Sequence, residues 1–406
     1  METVVCVIGL GYIGLPTATL IANNGFKVYG MDPVERVVET VNRGEIHIVE
    51  PGLAEYVKKA VSSGKLHADV KPHEADVFIL AVPTPFKGDK EPDLSFVESA
   101  TREIAPFVRQ ENLIILESTS PVGTTEKVRD WIYEERADLV GKPVYFAHCP
   151  ERVLPGKIVE ELPHNDRIIG GIDEESTKKT VDFYSHFVTG ALLSTDARTA
   201  EMAKLTENSF RDVNIAFANE LSIICDKLGI DVWELIRLAN RHPRVNILQP
   251  GPGVGGHCIA VDPWFIVDSA PRDARLIRVA REVNDSKPHV VMEKVYEAVR
   301  TTENPKVACL GLAFKPDIDD LRESPSLQIA EKLAAGTLGE LLVVEPNICA
   351  LPKSLAEKGN VRLVSVEEAM QEANIVLLLV DHKEFKAMDR DLLKGKTVID
   401  TRGIFA

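Results

Sequence analysis

The 406-residue chain has no excess of positive charge, no paired-cysteine pattern, few aromatic residues (6%) and no repeat or low-complexity segment. Lysine and arginine number 47 against 62 acidic residues, giving a net charge of −15 and a pI near 5.2. That balance argues against nonspecific binding to nucleic acid or to an anionic membrane surface. It leaves room for an anionic small substrate, because a few arginines and lysines make one pocket locally positive. The six cysteines, at 6, 149, 225, 258, 309 and 349, form no CxxC pair. Reduced thiols in a cytoplasm fit that pattern better than disulfides or a zinc site, and no metal is expected. Residues 4–22 carry no charge and approach the ~20-residue length of a membrane span. Gly9, Gly11, Gly14 and Pro16 interrupt the run and no basic segment precedes it, so a strand, a glycine turn and a helix are expected there.

What is present is the composition of a soluble globular protein, 45% hydrophobic and 27% charged. The length suggests two or three domains. Apolar runs at 4–8, 27–31, 77–81, 113–116 and 144–147 read as strands, with enough sequence between them for crossover helices. Between Gly190 and Gly229 lie 38 residues without glycine or proline, most of which should form one long helix. Met202, Leu205, Val213, Ala216, Leu221 and Ile224 give that helix an apolar side, suited to packing against a second subunit. After Pro305 further strands are expected at 307–310, 341–344, 361–363, 375–380 and 397–400. The predicted fold class is α/β, two Rossmann-like parallel-sheet domains (1–195 and 301–406) joined by a helical middle (196–300).

Gly9-Leu10-Gly11-Tyr12-Ile13-Gly14 places GxGxxG directly after the first strand and at the start of a helix. Such glycines allow a tight turn and close approach of a pyrophosphate to a helix N-terminus. Asp32, 18 residues beyond the last glycine, can accept hydrogen bonds from ribose hydroxyls and would repel a 2′-phosphate, so NAD is favoured over NADP. Thr84 and Thr119 each follow a predicted strand, where ligands of open α/β sheets bind. Gly11, Tyr12, Ile13 and Arg36 complete the expected cofactor-binding set in the first domain.

Residues 251–263, Gly-Pro-Gly-Val-Gly-Gly-His-Cys-Ile-Ala-Val-Asp-Pro, put four glycines in six positions just before Cys258. An approachable backbone beside a thiol suits a nucleophile, with His257 or a lysine lowering its pKa. The other five cysteines read as buried and inert. Lys204, Asn208 and Arg211 fall at i, i+4 and i+7, so they share a helix face. If that face lines a cleft, Lys204 and Asn208 can stabilise an oxyanion or relay protons. Asp262 can orient water or a nearby cation.

Segments 9–14, 82–85, 117–125, 150–151, 201–208, 255–262 and 311–325 together resemble the UDP-glucose/GDP-mannose dehydrogenase family over essentially the whole chain. The resemblance implies an NAD-dependent four-electron oxidoreductase acting on a UDP-sugar, with a dimer-forming middle. His148-Cys149-Pro150-Glu151-Arg152-Val153 and residues 240–263 are most similar to the branch that oxidises UDP-N-acetyl-D-mannosamine; UDP-N-acetylglucosamine and UDP-glucose are the alternatives. Carried over by position, Cys258 is the nucleophile and Lys204 the proton donor or acceptor, while Glu151 or Asp262 helps hydrolytic water. Arg152, Val153, Lys204, Asn208, Arg211, His242, Arg244, Gly255, Phe314, Lys315 and Arg402 contact the nucleotide sugar, and Arg322 reaches the cofactor. Two rival readings are a two-electron dehydrogenase of similar layout, which would not need Cys258, and a catalytically silent nucleotide-sugar-binding protein, which would be expected to lack Cys258 or Lys204.

Overall fold

A computed structural model describes residues 3–88, 90–154, 156–256, 258–336 and 339–405. His257, expected beside the candidate nucleophile, lies outside them. The chain divides into two compact units, Met1–Glu207 and Asn208–Ala406.

In the first unit the strands are β1 (Val4–Ile8), β2 (Lys27–Met31), β3 (Leu66–Asp69), β4 (Val77–Leu80), a short antiparallel hairpin of β5 (Phe86–Lys87) and β6 (Glu91–Pro92), then β7 (Leu113–Leu116), β8 (Tyr145–His148), β9 (Arg167–Gly171) and β10 (Leu192–Asp196). Eight of them form one sheet in the order β3-β2-β1-β4-β7-β8-β9-β10. Every pairing is parallel except β8 with β9, which is antiparallel. Strand alternation divides the core. Val5, Val7 and Ile79 enter one buried cluster, whereas Cys6, Ile8, Phe78 and Leu80 enter the cluster on the opposite face. The charge-free segment is β1, a turn and the helix Gly14–Asn23, whose Leu15, Ala18 and Ile21 are buried. It avoids charge because both its strand and its helix are core. No helix among the described residues is long and apolar enough to cross a membrane.

A 32-residue helix, Ala197–Leu228, follows. It stops where Gly229 takes a φ of +66° and the Ile230 N–H bonds back to the Cys225 carbonyl, a left-handed cap. The second unit continues with helices Val232–Ala239, Asp262–Ser269 and Arg275–Thr301. Its all-parallel sheet contains β11 (Lys306–Leu310), β12 (Glu340–Val344), β13 (Val361–Leu363), β14 (Ile375–Leu378) and β15 (Thr397–Asp400) in the order β13-β12-β11-β14-β15.

The long helix differs from the single apolar side expected of it. Leu205 and Ala216 are buried, but so are Asn208, Ser209, Asp212, Asn219 and Ser222. Phe210 (68% exposed), Phe217 (54%), Ile224 and Leu228 instead face outward. Much of the polar side is met by other polar groups, although Ser209 Oγ and Asp212 Oδ2 are buried without a hydrogen-bond partner among the described residues. Arg281 bonds to Asp212, Asn284 bonds to Asp212 and Asn219, and Asn219 accepts the Gly251 N–H at 2.9 Å.

Candidate active site

The first candidate site lies at the carboxyl ends of β1, β4 and β7. Gly9 has a φ of +91°, and a Cβ there would stand 2.6 Å from the Ala81 carbonyl oxygen. A Cβ on Gly14 would stand 1.8 Å from the Gly9 oxygen, whereas one on Gly11 would meet nothing within 4 Å. The turn is therefore closed inward and open outward, as close approach by a pyrophosphate requires. Tyr12 is exposed and Ile13 half-buried at the entrance to the helix. Asp32 is half-buried; Oδ2 accepts the Leu10 N–H at 3.1 Å and Oδ1 the Val34 N–H at 3.0 Å. Arg36 is exposed nearby in the first turn of the helix Glu35–Asn42. Thr84 and Thr119 are brought together, because the Thr84 hydroxyl donates to the Thr119 carbonyl at 2.6 Å. These residues fit NAD.

Beyond β8, Glu151 sits in a buried charge cluster. The Arg167 guanidinium, 3% exposed, lies 2.8 Å from Glu151 Oε2 and 3.5 Å from Glu117 Oε1. Burial pushes the Glu117 carboxyl up to about 7 despite Arg167 and the hydroxyls of Tyr184 and Thr17. His148 is buried and neutral, its pKa pushed down to about 3 by desolvation. Glu50 accepts the Gly156 and Ile158 N–H groups, each at 2.8 Å, and so anchors the loop that presents Arg152 and Val153, both half-buried. Arg152 pairs with Glu207 at 2.8 Å. Glu201 receives Gly123 N at 2.6 Å and Thr125 N at 2.8 Å, tying the long helix to the helix Thr124–Glu135. Sequence reasoning assigned no role to Arg167, Glu50, Glu117 or Glu201. The available signal for Arg167 was one charge opening the otherwise uncharged run Arg-Ile-Ile-Gly-Gly.

The second candidate site is the glycine loop of the second unit. Cys258 is exposed, and its carbonyl accepts the Val261 and Asp262 N–H groups at 3.0 and 2.9 Å. The loop is packed tightly against its surroundings. A Cβ on Gly255 would stand 2.3 Å from the Glu323 oxygen, one on Gly256 3.0 Å from the Phe314 ring, and one on Gly251 2.7 Å from Arg402 Nη1. Hence Phe314, Arg402 and the Cys258 loop are neighbours, joined by Lys315 through the chain. Asp262 is buried and its Oδ2 accepts Asn208 Nδ2 at 2.5 Å. Lys204 is half-buried one turn before Asn208, while Arg211 is exposed. His242 and Arg244 are exposed on a loop closed by Asn240, whose side chain bonds both the N–H and the carbonyl of Ile247. Arg322 is also exposed, with its guanidinium on Asp320 at 2.7 Å. Cys6, Cys149 and Cys309 are buried and pushed up to about 12 by desolvation, which makes them inert, and Cys225 is buried as well. Cys349, expected to be buried, is exposed in the segment after β12.

The chain matches the UDP-glucose/GDP-mannose dehydrogenase family in three parts: the NAD binding domain over residues 3–188, the central domain over 198–286 and the UDP binding domain over 308–406. The chain belongs to that family. It is an NAD-dependent UDP-sugar dehydrogenase. Among relatives in the family, a UDP-N-acetyl-D-mannosamine dehydrogenase of Campylobacter jejuni is 58% identical, over 95% of this chain and 97% of its own. An NDP-N-acetyl-D-galactosaminuronic acid dehydrogenase of Ralstonia nicotianae is 56% identical, over 99% and 96%. The solved UDP-N-acetyl-mannosamine dehydrogenase of S. aureus is 42% identical with a TM-score of 0.86, covering 99% of this chain and 95% of its own.

Proposed function

We propose that the protein oxidises C6 of UDP-N-acetyl-D-mannosamine twice, from alcohol to carboxylate, through a covalent intermediate on Cys258. The observation that carries this reading is the exposed Cys258 at the end of a glycine-packed loop, leading directly into the buried Asp262–Asn208 pair. High identity to relatives named for that sugar supports the substrate. The Ralstonia relative favours a second reading, another N-acetylhexosamine.

NAD, when bound, takes up one hydride in each oxidation; Gly9, Gly11, Gly14, Asp32, Thr84 and Thr119 would hold it. Cys258 Sγ adds to the C6 aldehyde and forms a thiohemiacetal, and oxidation leaves a thioester on sulfur. Lys204 and Asn208, one helical turn apart, stabilise the oxygen that becomes negative at each covalent step. Water activated by Asp262 or Glu151 then releases the uronate and regenerates the thiol. Lys315, Arg244 and Arg322 supply positive charge for the diphosphates, and Arg152, Val153, Arg211, His242, Gly255, Phe314 and Arg402 complete the sugar-nucleotide site. Residues 1–195, 196–300 and 301–406 serve as cofactor, dimerisation and UDP-sugar domains. The exposed Phe210, Phe217, Ile224 and Leu228 face is covered by a second copy, and a reducing cytoplasm keeps the thiol active.

The test is NADH formed per mole of limiting UDP-N-acetylmannosamine, with UDP-N-acetylgalactosamine, UDP-N-acetylglucosamine and UDP-glucose alongside. About two with the first sugar alone is expected. About one removes Cys258 from the mechanism, and two with another sugar alone corrects the substrate.

A further inference from the structure

Phe314 and Lys315 lie in a turn that runs from Gly311, at the end of β11, to Asp317. Both ends of this turn are fastened to one pair of buried side chains. Glu345, 4% exposed just beyond β12, accepts the Leu312 N–H at 2.7 Å and the Ala313 N–H at 3.1 Å through Oε2. His382, 0% exposed just beyond β14, places Nε2 3.1 Å from the same oxygen. On its other side, His382 Nδ1 accepts the Asp317 N–H at 2.9 Å.

An amide N–H only donates, so Nδ1 is the acceptor and Nε2 carries the proton that Glu345 receives. Hydrogen bonding to His382 and to the Leu312 N–H holds the Glu345 carboxyl below its usual range in spite of burial. Asp317 has a φ of +62°, a left-handed conformation uncommon for a non-glycine residue. Its Oδ1 accepts the Lys383 N–H at 3.0 Å, so the residue after His382 helps to hold it there. Among the described residues, Asp317, His382 and Glu384 come close enough together to ligate a metal. The imidazole is already occupied on both nitrogens, which leaves it no lone pair for an ion.

We propose that His382 is a positioning residue for recognition of the uridine diphosphate moiety. It holds the exit of the Phe314–Lys315 turn directly through Asp317, and the entrance through Glu345. The same turn supports the Cys258 loop, since Phe314 packs on Gly256. This inference rests on the reading of Lys315 as a substrate contact, and the test separates the two.

The experiment is calorimetric titration of the full-length protein with UDP and, separately, with NAD. The proteins compared are wild type, Lys315→Ala, His382→Leu and His382→Asn. Lys315→Ala is expected to weaken UDP. His382→Leu removes the bonds to Asp317 and Glu345, together with the one Nδ1 receives from Asn347 Nδ2 at 3.2 Å, and is expected to weaken UDP by about tenfold while NAD affinity stays within about twofold. His382→Asn keeps an acceptor near the Nδ1 position and is expected to recover most of the loss. If Lys315→Ala binds UDP like wild type, the substrate reading falls and this inference falls with it. If Lys315→Ala weakens UDP but both folded His382 variants bind it normally, the clamp is overturned and the substrate reading stands. Parallel loss of UDP and NAD, or equal loss in the Leu and Asn variants, also overturns it, because a general loss of structure would do the same. Should the Leu variant not fold, His382→Ala takes its place with the same expectation of UDP weakened about tenfold and NAD within about twofold, and normal UDP binding by that variant overturns the clamp.

Discussion

The two sheets begin alike and diverge at one carboxylate. In each, the first strand ends in a glycine of positive φ, Gly9 and Gly311, whose N–H bonds to the end of the neighbouring strand at 2.8 Å. In each, an acidic residue after that neighbour accepts the next backbone N–H: Asp32 takes Leu10 and Glu345 takes Leu312. There the likeness stops. Asp32 is half-buried at the edge of an open turn, and the helix starts at once with Gly14. Glu345 is sealed by His382, and thirteen residues, 312–324, separate Gly311 from the helix Pro325–Ala335. One topology thus offers a dinucleotide cradle in one unit and a side-chain-bearing turn in the other. Function lies in what the turn presents, and the sheet order alone does not specify it.

If that division holds, damage to one turn should be silent in the ligand of the other. The largest expected effect concerns Cys258, which belongs to neither turn. Cys258→Ser should cut net acid formation by at least about a thousandfold, read as uronate produced, with UDP and NAD affinities nearly unchanged. Next comes Arg167→Met, which strands Glu117 and Glu151 as buried carboxylates. Denaturant titration should show the first unit destabilised by about 3–5 kcal/mol, and intact UDP binding by the remaining fold would show that the damage is local.

Lys287 in the second unit provides a pH test. Burial pushes its ammonium down to about 8 from 10.5. Between these values the unfolded chain holds a proton that the folded chain has released, so the stability of the wild type rises with pH across that window. Lys287→Met should lose this rise and be more stable at pH 7 by up to about 3 kcal/mol, at roughly 1.4 kcal/mol per pH unit. A parallel pH profile in the two proteins would refute the assignment. Gly14→Val should weaken NAD by about a hundredfold, because its side chain meets the Gly9 carbonyl, with UDP within about twofold. The mildest change is Asp32→Asn, expected to weaken NAD by about tenfold and to narrow its preference over NADP. Glu345→Gln should leave NAD untouched; if it does not, the comparison between the two turns breaks.

Much of the fold was legible because strands buried on both faces are written as apolar runs. That is why β1, β2, β4, β7 and β8 and the central β11, β12 and β14 of the second sheet were found; its half-buried edge strands β13 and β15 were found as well, from their short apolar stretches. Edge and near-edge strands of the first sheet were missed for the opposite reason. Leu66–Asp69 is Leu-His-Ala-Asp, Arg167–Gly171 contains an arginine and two glycines, and Leu192–Asp196 is largely exposed. The long helix was recognised from its lack of breakers, but its packing side was not. It buries Asp212 and Asn219 against Arg281 and Asn284, partners more than sixty residues away in the chain.

The sequence by itself determined the α/β class, the glycine turn with Asp32, the long helix and the singularity of the Cys258 loop. Each is a local pattern in which a periodicity or a backbone requirement acts within a few residues. Tertiary structure alone decided that Thr84 meets Thr119, that Arg167 holds Glu151, that Asp262 receives Asn208 and that His382 braces the Phe314–Lys315 turn. Those pairings depend on which strand ends the sheet order places side by side and on which charges burial leaves in need of a partner. Neither is encoded by spacing along the chain.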